Sequence, residues 1–260
     1  MTLDWSVFCK DTLTGEAAPR CFSFLFGMDP NADPTYLDWL FKAWGWTLAV
    51  AGLSLVLALI MGIVIGTMRT VPQNNLLNRF LTLFGTVWVE LFRNIPLLVQ
   101  VFLWYHVIPA LFPIMKGFPS YLLVSIALGL FTSARIAEQV RAGIQSLPTG
   151  QRNAAIALGM TTTQSYRYVL LPMGLRIIIP PLTSECMNIV KNSSVAFAVS
   201  VPELTLFAMQ AQEETSRGIE IYLAVTALYM LSAFSVNRVI NRKSTRLNSS
   251  HLVISYAVFC

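Results

Sequence analysis

The stretch Asn153-Ala-Ala-Ile-Ala-Leu-Gly159, followed after nine residues by Val169-Leu-Leu-Pro172, carries more information than any other part of this chain. It lies between two strongly apolar regions, yet it is too short to cross a bilayer, and it has Arg152 directly before it and Arg167 within it. Small and apolar residues around a central glycine predict a short helix, a sharp turn at Gly159 and a second short helix. We interpret the stretch as a cytoplasmic loop that presents an apolar face to a soluble partner.

The composition is typical of a membrane protein. Hydrophobic residues make up 55 % of the chain and charged residues 12 %, about half the charged fraction of a soluble domain, and the mean hydropathy is +0.61. The net charge of +5 is not gathered on one soluble face, which argues against nucleic-acid binding. Basic residues dominate residues 69–93, 135–176 and the chain after 237, whereas acidic residues dominate residues 1–43 and 203–220. Because Lys and Arg favour cytoplasmic loops, we expect the N-terminus outside and the C-terminus inside.

Apolar stretches predict five membrane-spanning helices. The predicted spans are residues 44–68, 94–114, 121–140, 177–201 and 221–240. We expect Phe80 to Leu91 to form an inner extension of the second helix, with Pro96 near the start of that helix and Pro109 near its end. The first span begins too far along the chain, after an acidic segment, to be a cleaved signal peptide.

The central loop resembles the EAA loop of bacterial ABC importer permeases. In that family the loop has the pattern Glu-Ala-Ala, three residues, Gly, nine residues, Ile-x-Leu-Pro. Here Asn153 stands at the Glu position and Val169 at the Ile position, while the two alanines, the glycine and the final Leu-Pro match.

Other motifs are similar to the polar amino acid subfamily of these permeases. They are ELFRNIPLLVQ at residues 90–100 and EQVRAGIQSLP at residues 138–148. YRYVLLP at residues 166–172 and TSECMNIVKNS at residues 183–193 are most similar to glutamate/aspartate importer permeases. The resemblance implies an all-α membrane protein with five transmembrane helices of the type I ABC importer (MetI-like) permease fold.

The resemblance also gives the expected organisation of the chain. We predict a periplasmic N-terminal segment at residues 1–43, a transmembrane permease domain at residues 44–243 and a tail at residues 244–260. The permease domain includes a cytoplasmic coupling loop at about residues 141–172. The tail departs from the family after Lys243, so we expect foreign sequence there and exclude it from the interpretation of the fold.

As a function, the resemblance implies a permease subunit of the bacterial inner membrane that imports an amino acid. Glutamate or aspartate is the leading substrate, and glutamine or a basic amino acid is the alternative. The expected partners are a cytoplasmic ABC ATPase dimer, a second related permease in a heterodimer and a periplasmic amino acid binding protein. The chain has no Gly-x4-Gly-Lys-Ser/Thr sequence, so we expect ATP and Mg on the ATPase and no cofactor or metal in this chain.

Seven residues of the loop are expected to couple the permease to the ATPase. Small residues allow close approach, apolar residues supply burial and the glycine allows the turn. Asn153 lacks the charge that Glu would supply, but most of the contact depends on the apolar residues. The set is Asn153, Ala154, Ala155, Ile156, Leu158, Gly159 and Met160.

Two charges inside the fourth span are candidates for the substrate path. Glu185 and Lys191 are six residues apart, so they face different sides of a regular helix. Pro180-Pro181 and Asn192-Ser193-Ser194 favour a distorted backbone, which at membrane depth faces protein or a wet cavity. In this interpretation Lys191 attracts a carboxylate, Asn192, Ser193 and Ser194 add hydrogen bonds, and Glu185 holds the α-ammonium group. The alternative, in which both charges pair structurally with a partner subunit or with Arg176, stays equally open.

The cysteines and one histidine have simpler interpretations. Cys9 and Cys21 lie in the outer segment, where an oxidising periplasm favours a disulfide, although two unpaired thiols are the alternative. Cys186 is expected to be a small buried hydrophobe. His106, among aromatic residues, is expected to pack rather than to bind a ligand, and Cys260 is terminal.

Other charged residues near the inner ends of the spans have structural interpretations. Glu90 and Arg93 are spaced to pair on one helix face. Arg135, Glu138 and Arg141 form an ionic face that we expect to hold the loop.

Two other classes of function fit the sequence less well. An intramembrane enzyme is disfavoured because paired carboxylates, a histidine cluster and a Ser/His/Asp set are missing. A stand-alone secondary transporter or channel is disfavoured because no internal repeat is visible.

Overall fold

The computed structural model describes residues 3–17, 21 and 34–257. Their regular structure is helical, apart from two isolated antiparallel bridges, Lys10 with Ala17 and Asp11 with Thr35. The α-helices are α1 (Tyr36–Met68), α2 (Leu76–Asn94), α3 (Leu97–Phe102), α4 (Ile108–Leu111), α5 (Ser120–Gln145), α6 (Thr149–Ala157), α7 (Thr162–Ser165), α8 (Leu171–Asn192), α9 (Leu204–Thr215) and α10 (Gly218–Ala257). Short 3-10 segments cover Trp5–Cys9, Pro113–Gly117 and Ser193–Val199, and π-helical turns cover Leu103–Val107 and Tyr166–Leu170.

Four helical segments of the described chain are long and apolar enough to cross a membrane. They are Tyr36–Met68, Ser120–Gln145, Thr162–Val199 and Gly218–Arg238. A fifth span is available if the bent pair Leu76–Asn94 and Leu97–Leu111 counts as one. Each of the five predicted spans overlaps one of these segments.

The second predicted span is broken where the sequence had suggested one helix. α2 and the helical segment after it meet at 105°, so residues 80–91 do not extend that helix. Ile95 is extended, with φ −92° and ψ 129°, because the ring of Pro96 disfavours the α conformation in the residue before it. Gln100 bridges the break, since its Nε2 donates to the carbonyl oxygens of Phe92 at 2.8 Å and Ile95 at 2.9 Å. The bend is therefore held by a side chain as well as caused by a proline.

Helix ends differ from the predicted span ends because polar residues can extend a helix beyond its apolar stretch. α1 begins at Tyr36, eight residues before the predicted start. The backbone N–H and the hydroxyl of Thr35 donate to Asp38 Oδ2 at 3.1 and 2.7 Å, which stabilises the first turn. α4 continues for two residues beyond Pro109 and ends at Leu111.

The prediction of an unwound backbone at Pro180-Pro181 is wrong. α8 continues through both prolines, as membrane helices can when neighbouring groups satisfy the freed backbone carbonyls. The change of backbone comes later, where the helix tightens into the 3-10 segment Ser193–Val199.

The chain forms two compact units. Unit 1 contains the described residues up to Gly52 together with Val101–Ser125 and Val190–Ala233. Unit 2 contains Leu53–Gln100, Ile126–Ile189 and the described residues from Phe234 onward. The predicted boundaries at residues 43 and 243 stay predictions.

The core of unit 1 joins the N-terminal segment to helices α1, α9 and α10. Its buried apolar residues are Val7, Phe8, Tyr36, Leu40, Ala43, Leu204, Phe207, Ala208, Ala211, Ile221 and Val225. Glu203 caps α9 by accepting hydrogen bonds from the backbone N–H groups of Thr205 and Leu206. Burial raises the pKa of the Glu203 carboxyl, and the hydroxyl of Tyr229 donates to it at 2.7 Å.

The N-terminal segment is closed by a disulfide between Cys9 and Cys21, which confirms the predicted pairing. The segment is also attached to α10, because the backbone N–H of Asp4 donates to Glu220 Oε1 at 2.9 Å. Arg217 Nη2 lies 3.3 Å from Asp4 Oδ2. Cys186 is buried, as predicted, and Cys260 lies outside the described residues.

In unit 2, α1 and α5 approach closely through small residues. A Cβ atom on Gly66 would lie 2.6 Å from Val140 Cβ and 2.7 Å from the carbonyl oxygen of Ala137. Ala134 and Ala137 of α5 also belong to the apolar cluster of this unit, which includes Ile65 of α1. Such contact between small residues is a common mode of helix packing in membranes.

Candidate coupling segment and transport cavity

The loop forms the predicted helix, turn and second helix. α6 ends at Ala157, and Gly159 has φ +80°, a left-handed conformation that favours glycine. α7 then begins with a capping box in which Thr161 and Gln164 satisfy each other's backbone N–H groups. A π-helical turn leads from α7 into α8. We call residues 149–170 the coupling segment.

The coupling segment exposes two large aliphatic side chains and the ring of Tyr168. Ile156 is 52 % exposed and Leu158 79 %. Asn153 and Ala154 are exposed beside them. Ala155, by contrast, is buried by the chain itself, so the expected set of coupling residues is not a single exposed face. Gly159 is exposed and Met160 is half-buried.

An ionic cluster lies at the C-terminal ends of α1 and α5. Arg69 Nη1 is 2.6 Å from Glu138 Oε1, and Arg141 Nη2 is 3.1 Å from Glu138 Oε2. Arg141 also donates to Gln145 at 3.1 Å, four residues before α6 begins. Of the predicted ionic face, Glu138 and Arg141 therefore pair with each other, and Arg69 joins them as an unpredicted member. Arg135, the third predicted member, lies against Glu185 instead.

Beside this cluster, unit 2 contains a polar cavity of about 310 Å³, which we call the arginine cavity. It is lined by Arg93, Phe131, Arg135, Glu138, Gln139 and Glu185.

Two oxygen atoms of residues that line the arginine cavity have unused hydrogen-bonding capacity. Glu185 is buried, and its Oε1 accepts a hydrogen bond from Gln139 Nε2 at 3.2 Å. Arg135 Nε lies 3.0 Å from Glu185 Oε2, but this ion pair lacks hydrogen-bond alignment. Glu185 Oε2 and Gln139 Oε1 are both buried without a hydrogen-bond donor. Buried acceptors of this kind are costly unless a ligand or water supplies the donor.

The predicted substrate-path residues do not gather at this cavity. Glu185 lies in unit 2, whereas Lys191, Asn192, Ser193 and Ser194 lie in unit 1. Lys191 is exposed and Asn192 and Ser194 are half-buried. Ser193 is fully buried and its hydroxyl donates to the carbonyl oxygen of Val190 at 2.7 Å.

Two charged residues have partners that the sequence did not indicate. Glu185 pairs with Arg135, a residue that the structural alternative had not named. Glu90 accepts a hydrogen bond from Asn94 at 2.9 Å, while Arg93, its expected partner, lines the arginine cavity. Gln139 was missed, although its spacing of four residues from Arg135 places both on one face of α5.

His106 packs between aromatic rings, as expected. Its ring centroid is 4.8 Å from that of Tyr105 and 6.0 Å from that of Phe102. In the described part of the chain, no group of three or more His, Cys, Asp or Glu side chains is placed to hold a metal ion.

A family comparison extends over most of these elements. The family described as binding-protein-dependent transport system inner membrane component matches residues 56–248. The chain belongs to this family. As a binding-protein-dependent transport permease, it is a transport component of the inner membrane.

Similar curated proteins are amino-acid permeases. The glutamate/aspartate import permease protein GltJ of Escherichia coli (strain K12) is 44 % identical over 212 residues, which cover 78 % of this chain and 84 % of the relative. The probable amino-acid ABC transporter permease protein PatM of Vibrio harveyi is 32 % identical over 226 residues, covering 87 % and 99 %. The probable glutamine ABC transporter permease protein GlnM of Bacillus subtilis (strain 168) is 33 % identical over 205 residues, covering 79 % and 91 %.

Solved structures have the same fold. A chain in the crystal structure of an amino acid ABC transporter with histidines matches with a TM-score of 0.70 and 28 % identity, covering 81 % of this permease and 95 % of that chain. A chain of the MetNI methionine ABC transporter in an inward-facing conformation matches with a TM-score of 0.62 at 22 % identity, covering 78 % and 95 %. The predicted permease family, MetI-like fold and inner-membrane location are therefore confirmed, whereas the orientation of the termini stays a prediction.

Proposed function

We propose that this permease carries acidic amino acids, L-glutamate and L-aspartate, into the cytoplasm. The observation that carries the proposal is the arginine cavity, which combines guanidinium groups with unsatisfied acceptor oxygens. Its volume of about 310 Å³ is at the lower end of the range of about 300–1,000 Å³ for small-molecule sites. The 44 % identity to GltJ, a glutamate/aspartate import permease protein, supports the same substrate class.

An amino acid has both groups that the cavity would accept. Its α-ammonium group would pair with the carboxylate of Glu185, which lines the cavity. Its carboxylates would pair with Arg93 and Arg135, because guanidinium groups bind carboxylates in a bidentate geometry.

The local charge favours an anionic substrate over a cationic one. Around the arginine cavity and the adjoining ionic cluster, Glu138 and Glu185 face four guanidinium groups, those of Arg69, Arg93, Arg135 and Arg141. The positive excess attracts a dicarboxylate and repels a basic amino acid. Glu185 thus carries the proposed substrate path, and Lys191, Asn192, Ser193 and Ser194 stay predictions.

Transport would be powered through the coupling segment. Ile156 and Leu158 would enter an apolar groove of a cytoplasmic ATPase, with Asn153, Ala154, Gly159 and Met160 around them. The basic residues Arg141, Arg152 and Arg167 support a cytoplasmic position for the segment. ATP and Mg would bind to the ATPase dimer, and a periplasmic amino acid binding protein would deliver the substrate. A second related permease would complete a heterodimer.

Uptake of L-glutamate into proteoliposomes that contain the complete importer tests the substrate. We expect Arg93→Gln to lower uptake about 10- to 100-fold, because a charge-assisted hydrogen bond of about 1.5–3 kcal/mol is lost. Arg79→Gln is the matched control, since Arg79 lies on the same helix but against the apolar residues Leu76, Leu77, Phe80 and Leu83. Preferential uptake of glutamine or of a basic amino acid would show that the acidic assignment is wrong.

A further inference from the structure

Tyr166 attaches the coupling segment to the end of α1. This residue begins the π-helical turn between α7 and α8, and only 8 % of its surface is exposed. Its hydroxyl donates a hydrogen bond to the backbone carbonyl oxygen of Thr70, two residues after α1 ends. α6 contacts the same π-helical turn, so the exposed apolar residues and Tyr166 belong to one packed element.

The end of α1 that receives this hydrogen bond is itself fixed to neighbouring helices. Arg69, adjacent to Thr70, is paired with Glu138 of α5. The hydroxyl of Thr82 in α2 donates to the carbonyl oxygen of Asn78 in its own helix at 2.9 Å and makes a weaker contact, at 3.4 Å, with the carbonyl oxygen of Met68. The hydroxyl of Thr70 donates to the carbonyl oxygen of Thr67 at 2.8 Å. The hydrogen bond from Tyr166 therefore ends on a part of the chain that contacts both α2 and α5.

We infer that Tyr166 is a positioning residue for energy coupling, an inference that rests on the proposed function. The covalent chain connects the coupling segment to α5 at its start and to α8 at its end. The phenol of Tyr166 adds a link from its far end to the residues that follow α1. Displacement of Ile156 and Leu158 by the ATPase reaches α1 directly through this hydrogen bond. Without the hydroxyl of Tyr166, the same displacement of the coupling segment causes a smaller displacement of α1.

The number of ATP molecules hydrolysed per L-glutamate imported is the quantity to measure. The complete importer in proteoliposomes provides both rates from one preparation. Tyr166→Phe keeps the buried ring and removes only the hydroxyl. We expect the ratio to rise about two- to tenfold, the change that the loss of one hydrogen bond causes in a two-state equilibrium. The ATPase should co-purify with the variant in the same yield as with the wild type.

Tyr222→Phe is the matched control, because Tyr222 lies in α10, outside the coupling segment, and is 42 % exposed. Its ratio should equal that of the wild type. An unchanged ratio in Tyr166→Phe overturns the inference, and so does an equal fall in both rates, which indicates a structural role alone. If the wild-type importer does not import L-glutamate with ATP, the proposed function is wrong. If the wild type imports L-glutamate and Tyr166→Phe has the same ratio of ATP hydrolysed to L-glutamate imported, only this inference is wrong.

Discussion

Two arginine residues of unit 2 each form an ion pair with a glutamate of another helix or helix end. The side chain of Arg69 is 8 % exposed, and its pairing with Glu138 at 2.6 Å offsets the cost of burying a guanidinium group. Removing one partner of such a pair costs more than the pair contributes, because the other charge is left buried. Beside the cavity the acid is the buried partner, because the side chain of Glu185 is 7 % exposed and that of Arg135 is 41 % exposed.

At this scale Leu158 gives the most direct test of the coupling segment. We expect Leu158→Asp to weaken ATPase binding by at least about 30-fold, since a buried contact residue contributes about 2 kcal/mol or more and Asp introduces a charge into an apolar groove. The measurement is the yield of ATPase that co-purifies with the permease.

Leu13→Asp is the control for that variant. Leu13 is 75 % exposed, close to the 79 % of Leu158, but it belongs to the N-terminal segment. ATPase yield should be unaffected by this change. Equal ATPase yields from both variants would contradict the assignment of the coupling segment.

The sequence predicts individual residues best where one element contains the whole pattern. The turn at Gly159 and the pairing of Glu138 with Arg141 depend on neighbours within one loop or one helix, and both were predictable. The contact of Arg135 with Glu185 joins residues 50 positions apart. Spacing along one helix cannot indicate which other helix it faces, so the arginine cavity was not predictable from periodicity.

Among the elements, the contact between α1 and α5 sets the packing of unit 2. Gly66→Ala would place a methyl group within 2.6 Å of Val140 Cβ, so we expect a loss of about 1–3 kcal/mol in stability from overpacking. The midpoint of thermal unfolding in detergent should fall accordingly.

Gly52→Ala is the matched change in the same helix. No atom lies within 4 Å of the position that its Cβ would take, and alanine is the better helix former by about 1 kcal/mol. Its unfolding midpoint should be unchanged or higher. Equal losses in the two variants would mean that the close approach of α1 and α5 does not limit stability.

The number of spanning elements follows from hydropathy, but their ends and bends do not. Thr35 and Asp38 start α1 within a polar stretch, where an apolar window gives no signal. Pro96 breaks one helix, whereas Pro180 and Pro181 leave another unbroken. The same residue type has opposite effects because the surrounding protein decides whether freed backbone groups find partners.

For the whole molecule, the outstanding prediction is its orientation in the membrane. With Cys186 and Cys260 replaced by serine, Cys9→Ser leaves Cys21 as a free thiol. We expect a membrane-impermeant maleimide to label this thiol in intact spheroplasts, because acidic segments lie outside and basic loops inside.

A second thiol should report the opposite side. In a background without the native cysteines, the Leu158→Cys variant should react only after the membrane is opened, since Leu158 lies in the basic coupling segment. Labelling in the reverse order would invert the proposed topology. It would also exclude contact between this segment and a cytoplasmic ATPase.

The bend at Ile95–Pro96 has a consequence for the position of the Arg93 side chain. Gln100, which follows the bend, donates hydrogen bonds to the carbonyl oxygens of Phe92 and Ile95, which precede Pro96, and so stabilises the bend angle. Arg93 lies two residues before Ile95. A small change in the bend angle would therefore shift the position of its guanidinium group. Substrate preference in this permease would then depend on the backbone angle at Ile95–Pro96 as well as on the presence of Arg93.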